Sequence, residues 1–181
     1  MFRARTSIKA QISDLETILF DVDVRKRWEQ IIFDFSSFDK SEEQKGSCSI
    51  YYVYKSPFGV ADRDFLQVQK VWHDFPEPGM VTLFYKSIDD ERFPVMKNRV
   101  RATCHIMALC CSPAKDESGK DILNCMLVTN IDINGLVPKW IVNFAARSAP
   151  SQWFVDCQRA IDLYHAGKLS TKTTTNLNTH T

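Results

Sequence analysis

"DILNCMLVTNIDINGLVPKWIVNFAARSAP", Asp121 to Pro150, carries two periodicities on either side of one turn. Up to Asp132 the residues follow the apolar and β-branched pattern of a strand. After Gly135 the period becomes that of a helix. Pro138 suits a first helical turn, and Trp140, Ile141, Phe144 and Ala145 recur at i, i+3 and i+4. Trp153, Cys157, Ile161 and Tyr164 continue the stripe, and Gly167 fits a C-terminal stop. Pro150 lies inside it, where it removes a backbone donor and predicts a kink or a restart. A strand hands over to one long amphipathic helix.

Working back from that point, the segments "QIIFDFSSF", "CSIYYVYK", "RDFLQVQKVWH", "MVTLFYKSI" and "RVRATCHIMALCC" also read as strands, and "RARTSIKAQI" near the start opens the series. The connections are short and polar, which predicts antiparallel neighbours. Between the first two strands lies "SDLETILF", where Ser13 and Glu16 have capping-box spacing. Its helix is expected to break near Asp21 and resume through "VRKRWE", anchored by Trp28. The predicted architecture is α+β and helix-grip: a curved antiparallel sheet of about seven strands with a long C-terminal helix over a hydrophobic cavity. Residues 1–167 form the domain, and 168–181 read as a disordered Thr/Asn-rich tail.

Bulk composition narrows the function. Lys plus Arg number 23 against 22 Asp plus Glu, so the net charge is +1 and phosphate neutralisation on nucleic acid is not expected. No apolar run of membrane-spanning length or signal-peptide form occurs, which makes cytoplasmic the expected address. The six cysteines show no C-x-x-C pairing and read as reduced core residues. Four scattered histidines and the absence of H-E-x-x-H, P-loop or G-x-S-x-G patterns point away from a metal, a cofactor and catalysis.

Charge is most conspicuous in "KSPFGVADRDF", Lys55 to Phe65, where Asp62, Arg63 and Asp64 begin a strand. Arg63 either lies at the sheet edge with a local ion pair or points inward. Inward, it requires an anion, supplied by a carboxylate such as Asp132 or by a ligand phosphate. Aromatic residues supply candidate walls: Tyr52, Tyr54, Phe65, Phe84 and Tyr85 on strands, Trp140 and Phe144, with Asn143, on the covering helix. In "DDERFPVMKN", Phe93 and Met96 are either plugs folded inward or a rim that touches something apolar.

Four stretches, in order, resemble the START (StAR-related lipid transfer) domains: "LETILFDVDVRKRWEQ", "VYKSPFGVADRDF", "RVRA" and "IDINGLVPKWIVNFAARSAPSQW". The second is most similar to the phosphatidylcholine-transfer-protein branch. The resemblance implies lipid binding and transfer between membranes, with Arg63 on the lipid phosphate, no enzyme activity and no cofactor beyond the lipid. It also implies a transient membrane surface as partner, touched by Phe93 and Met96 while the final helix flexes at Pro150. A sterol ligand, a lipid sensor or scaffold and, last, a lipid or thioester hydrolase are the alternatives. Against the family pattern, the chain is expected to be short of an N-terminal helix and two strands.

Overall fold

The computed structural model describes residues 1–56, 59–137 and 139–169, the side chains of 139–149 excepted. The readings on Trp140, Asn143 and Phe144 and on residues 170–181 therefore lie outside the described residues. The elements are β1 (Phe2–Ile8), α1 (Ile12–Phe20), α2 (Val22–Trp28), β2 (Ile32–Phe38), β3 (Cys48–Tyr54), β4 (Asp62–His73), β5 (Val81–Ser87), β6 (Arg99–Arg101), β7 (Thr103–Lys115), β8 (Asp121–Asp132) and α3 (Lys139–His165). Seven strands form one antiparallel path in the order β1-β8-β7-β5-β4-β3-β2, and β6 makes an eighth beside β4.

β6 departs from expectation. "RVRATCHIMALCC" divides at Ala102, and Arg99–Arg101 pairs with β4 in parallel. The reason is a vacancy in the ladder. β5 ends with Ser87 opposite Gln67, which leaves the first residues of β4 with β3 on one side and no neighbour on the other. The chain returning from residue 98 fills that place, and Ala102 donates its N–H to the Asp64 carbonyl at 2.9 Å.

The first helix starts earlier than the Ser13–Glu16 spacing suggested: Gln11 is its N-cap and donates its N–H to Asp14 Oδ2 at 2.9 Å. Its break falls at Asp21, because that side chain accepts from the N–H groups of Asp23 and Val24 and so caps α2. Trp28 ties the two helices by donating its indole N–H to the Ile18 carbonyl at 2.9 Å. One helix of 27 residues is assigned across Pro150.

The pleat gives the sheet two faces. On the inner face Ile50, Leu83, Leu109 and Leu123 pack with Leu15, Ile18 and Leu19 of α1 and with Phe154, Cys157 and Ile161 of α3. Leu169, past the boundary read at 167, joins the same core at 5% exposure. On the outer face Tyr51, Val53 and Leu66 form a second cluster with Phe38, Ile88 and Phe93.

Gly46 joins sheet to helix. It has φ +82°, and a Cβ there would lie 2.6 Å from the Phe20 ring. Gly119 has φ +79° and open space around it. Urea unfolding should therefore show Gly119→Ala losing about 1–2 kcal/mol from the left-handed backbone alone. Gly46→Ala should lose about 2–5 kcal/mol, with overpacking added. Equal losses would remove the packing role given to Gly46.

Candidate functional site

Alternation along β4 sorts its opening charges. Arg63 shares the inner face with Phe65 and Gln67, while Asp64 and Leu66 face outward. Arg63 is 4% exposed, so of its two readings the inward one is observed. Its guanidinium donates to main-chain carbonyls: Nε to Ile133 at 3.1 Å, Nη2 to Asn134 at 3.0 Å, and Nη1 to Ala61. Among the described residues it makes no ion pair. Asp132, a proposed partner, accepts from the Asn134 N–H at 2.9 Å instead, and Asp62 accepts from the Ser56 N–H at 2.8 Å. The carbonyls aim at Arg63 because Asn134 and Gly135 take positive φ of 48° and 70°. Val100 stands 3.3 Å from where a Gly135 Cβ would be, so the turn has room for glycine.

The inner wall beside Arg63 is aromatic. Register places Tyr54 opposite Arg63 and Tyr52 opposite Phe65. Tyr52 stacks on Phe65 with centroids 4.9 Å apart, and Tyr54 meets Phe65 edge-on at 5.4 Å. Tyr85, also buried, lies on the same face from β5. Phe84 does not join them. Adjacent strand residues point to opposite faces, and Phe84 lies outside, tilted against Trp72 at 5.9 Å.

Sequence reasoning missed the charges deepest in this wall. Arg25 of α2 and Glu29, its C-cap, are 3% and 4% exposed and form an ion pair, Nε to Oε2, at 2.8 Å. Tyr54 donates its hydroxyl to Glu29 Oε1 at 2.9 Å, and Arg25 lies over the Phe35 ring at 5.0 Å. Burial opposes the Arg25 charge, but Glu29, Tyr85 and Tyr54 outweigh it and hold its pKa above the usual value. The set is incomplete: Arg25 Nη1, Gln67 Nε2 and Gln69 Oε1 are buried without a partner. The i, i+4 spacing of Arg25 and Glu29, on the side that carries Trp28, was the available signal.

Phe93 is a plug and makes no rim. It stacks between Phe38 at 4.6 Å and Tyr51 at 5.1 Å on the outer face. The loop is held there by Arg92, which bonds Asp39 and Asp90, and by Arg101, which donates to the Phe93 carbonyl at 3.0 Å. Arg101 also pairs at 3.0 Å with Asp64, which is fully buried. Met96 is 47% exposed, and Leu136, which the sequence did not single out, is wholly exposed.

A cavity of about 350 Å³ opens at the Arg63 end of the sheet, lined by His105, Asn130, Asp132, Asn134, Gly135 and Val137 among others. It falls at the small end of ligand pockets. Among the described residues no group of His, Cys, Asp or Glu is placed to hold a metal ion, and no helix is long and apolar enough to cross a membrane.

A curved antiparallel sheet with one long terminal helix packed on the inner face, which also carries a buried cation and stacked rings, is a helix-grip domain. The chain has the fold of START domains. Human STARD10 superposes with a TM-score of 0.76 at 19% identity, over 92% of this chain and 64% of that one. Human StAR-related lipid transfer protein 5 gives 0.75 at 16% identity, over 90% and 76%. In sequence, the phosphatidylcholine transfer protein of Mus musculus is 23% identical over 152 residues, and that of Bos taurus 24% over 151. Each match takes in 83% of this chain and 67% of the relative, so the chain spans about two thirds of their length. No family model matches the sequence.

Removing one member of a buried ion pair costs about 3–5 kcal/mol, whereas apolar replacement of both is near neutral. Arg25→Met should therefore destabilise the protein by that amount, and Arg25→Met with Glu29→Leu should recover most of it in urea melts. Additive losses would mean that the pair is not coupled.

Burial raises the hydroxyl pKa of Tyr52 and Tyr54 well above 10.0 and pushes Tyr85 up to about 12. Their stabilisation is present below pH 10 and is lost as pH rises through the folded values. An ultraviolet titration should show these rings ionising late and together with unfolding. Complete ionisation in a still-folded protein would contradict their burial.

Proposed function

We propose that the protein binds one lipid, a phospholipid, between the inner sheet face and α3 and carries it between membranes. The observation that supports this reading most directly is Arg63, a guanidinium 4% exposed with carbonyls around it and, among the described residues, no carboxylate paired to it. Carbonyl dipoles solvate a cation without neutralising it. A phosphate would do both, accepting two parallel N–H bonds. Tyr52, Tyr54, Phe65 and Tyr85 of the inner face flank the ligand. Arg25, Gln67 and Gln69 bring unmade hydrogen bonds that a glycerol or ester group could complete. A sterol offers one hydroxyl and no charge, so the unpaired Arg63 favours the phospholipid.

Transport follows from the hydrophobic effect. Each CH₂ brought into water costs about 0.8 kcal/mol, which forbids free passage of acyl chains. Met96 and Leu136, exposed near the 133–135 turn and β6, are the proposed contacts with a membrane surface, and Pro150 the flex point of α3. The proposed address is cytoplasmic, with peripheral membrane association.

Native mass spectrometry of the purified chain should show a retained phospholipid. Arg63→Leu should reduce phospholipid binding by about tenfold or more, with Arg63→Lys retaining part of it. Fluorescent-lipid transfer between vesicles separates a carrier from a sensor that binds without transfer. Absence of bound lipid, with unchanged binding in Arg63→Leu, would overturn the reading.

A further inference from the structure

The outer face of the sheet between β4 and β1 is apolar where a solvent-facing sheet should be polar. Register sets Lys70, Phe84, Ala108, Val128 and Arg3 abreast across five strands. The next row is Trp72, Thr82, Cys110, Met126 and Arg5. Each row has an apolar or small middle and ends in a cation at β1. Lys70 and Lys86 supply cations at the other side, and Phe75, 53% exposed, extends the aromatic pair Trp72–Phe84. Arg3, Arg5, Lys70 and Lys86 are all exposed, and among the described residues none makes an ion pair with a carboxylate. Nearby acidic residues Asp74, Glu77, Asp116 and Glu117 lie off the strands, in the β4–β5 and β7–β8 turns.

We propose that this outer face docks an acidic amphipathic helix of a partner protein. The dimensions fit. Neighbouring strands are about 4.8 Å apart, so β5 to β8 spans about 10 Å, the width of one helix, and β4 to β1 spans about 19 Å. A helix lying along β7 sets its apolar stripe on Ala108 and Cys110 between Phe84 and Val128. Its flanking carboxylates then meet Lys70 and Lys86 on one side and Arg3 and Arg5 on the other. A second copy of this chain would bring like charges together, which disfavours self-association through the face. A membrane is the weaker occupant, because Trp72, Phe84, Met126 and Val128 are half-buried in the sheet and only Phe75 stands clear. The face lies opposite the proposed lipid site, so the inference does not rest on the lipid reading.

The test uses the full chain and a fluorescein-labelled helical peptide with Leu at i, i+3, i+4 and i+7 and Glu elsewhere. Its Leu/Lys counterpart and phosphatidylserine vesicles are the comparison arms. The Leu/Glu peptide should bind in fluorescence anisotropy, weaken about tenfold at about 0.5 M salt, and lose about tenfold or more with Arg3→Glu/Lys70→Glu. Ala108→Glu, which leaves every cation in place, should weaken it comparably. Retained melting temperature and unchanged bound lipid would assign those losses to the face. The proposal fails if the Leu/Glu peptide does not bind, if the Leu/Lys peptide binds equally, or if charge reversal leaves affinity unchanged. Vesicle flotation without peptide binding would overturn it in favour of a membrane.

Discussion

A guanidinium withdrawn from water has to be met by acceptors, and how that need is met at Arg63 governs much of the molecule. Ile133 and Asn134 turn their carbonyls toward it only because Asn134 and Gly135 adopt positive φ. That turn is the point from which the chain leaves β8 for α3. Asn134 is further pinned by its side chain, which donates to the Arg101 carbonyl at 3.0 Å and to Thr103 at 3.1 Å. One cation on β4 thus orients the approach of the helix that covers the inner face, and β6 and β7 hold the same turn from the other side.

The pleat then turns a run of charge into two separate systems. Arg63 serves the inner face. Asp64, the next residue, serves the outer one through Tyr51 at 3.2 Å and Arg101 at 3.0 Å. Both are buried, yet they do not pair with each other, because neighbouring side chains on a strand diverge. The outer system draws residues 89–101 across the sheet and places Phe93 in its aromatic stack. The inner system leaves Arg63 without a counter-anion among the described residues, and that asymmetry is what the proposed ligand would complete.

Periodicity made the fold legible. The switch from period two to 3.6 after Gly135 located α3, and Asp21, a good cap and a poor helix interior, located the break between α1 and α2. The inward arginine was legible as one of two readings, since it sits among Phe65, Leu66 and Val68. Arg25 was not, because "VRKRWE" has the composition of a solvated helix face and only tertiary packing removes it from water. Phe84 was misplaced for a different reason: it and its neighbour Tyr85 were both read as candidate walls, and a pleat turns adjacent residues to opposite faces. β6 escaped because its strand exists only to fill the space beside β4 that β5 leaves.

Arg63 also links ligand chemistry to motion. For α3 to swing away from the sheet, the turn at residues 133–135 has to shift, and two of the three carbonyls on Arg63 belong to it. Opened in water, the guanidinium is rehydrated and loses little. Opened against a lipid surface, it would be stranded in an apolar setting, at a cost of several kcal/mol, unless another acceptor arrives. On the carrier reading a phospholipid phosphate is that acceptor, and it replaces the carbonyls at the moment they leave. Exchange of acceptors on one cation would then make opening cheap only where an anionic headgroup is present. An uncharged lipid would find the helix held by the carbonyls that a phosphate displaces.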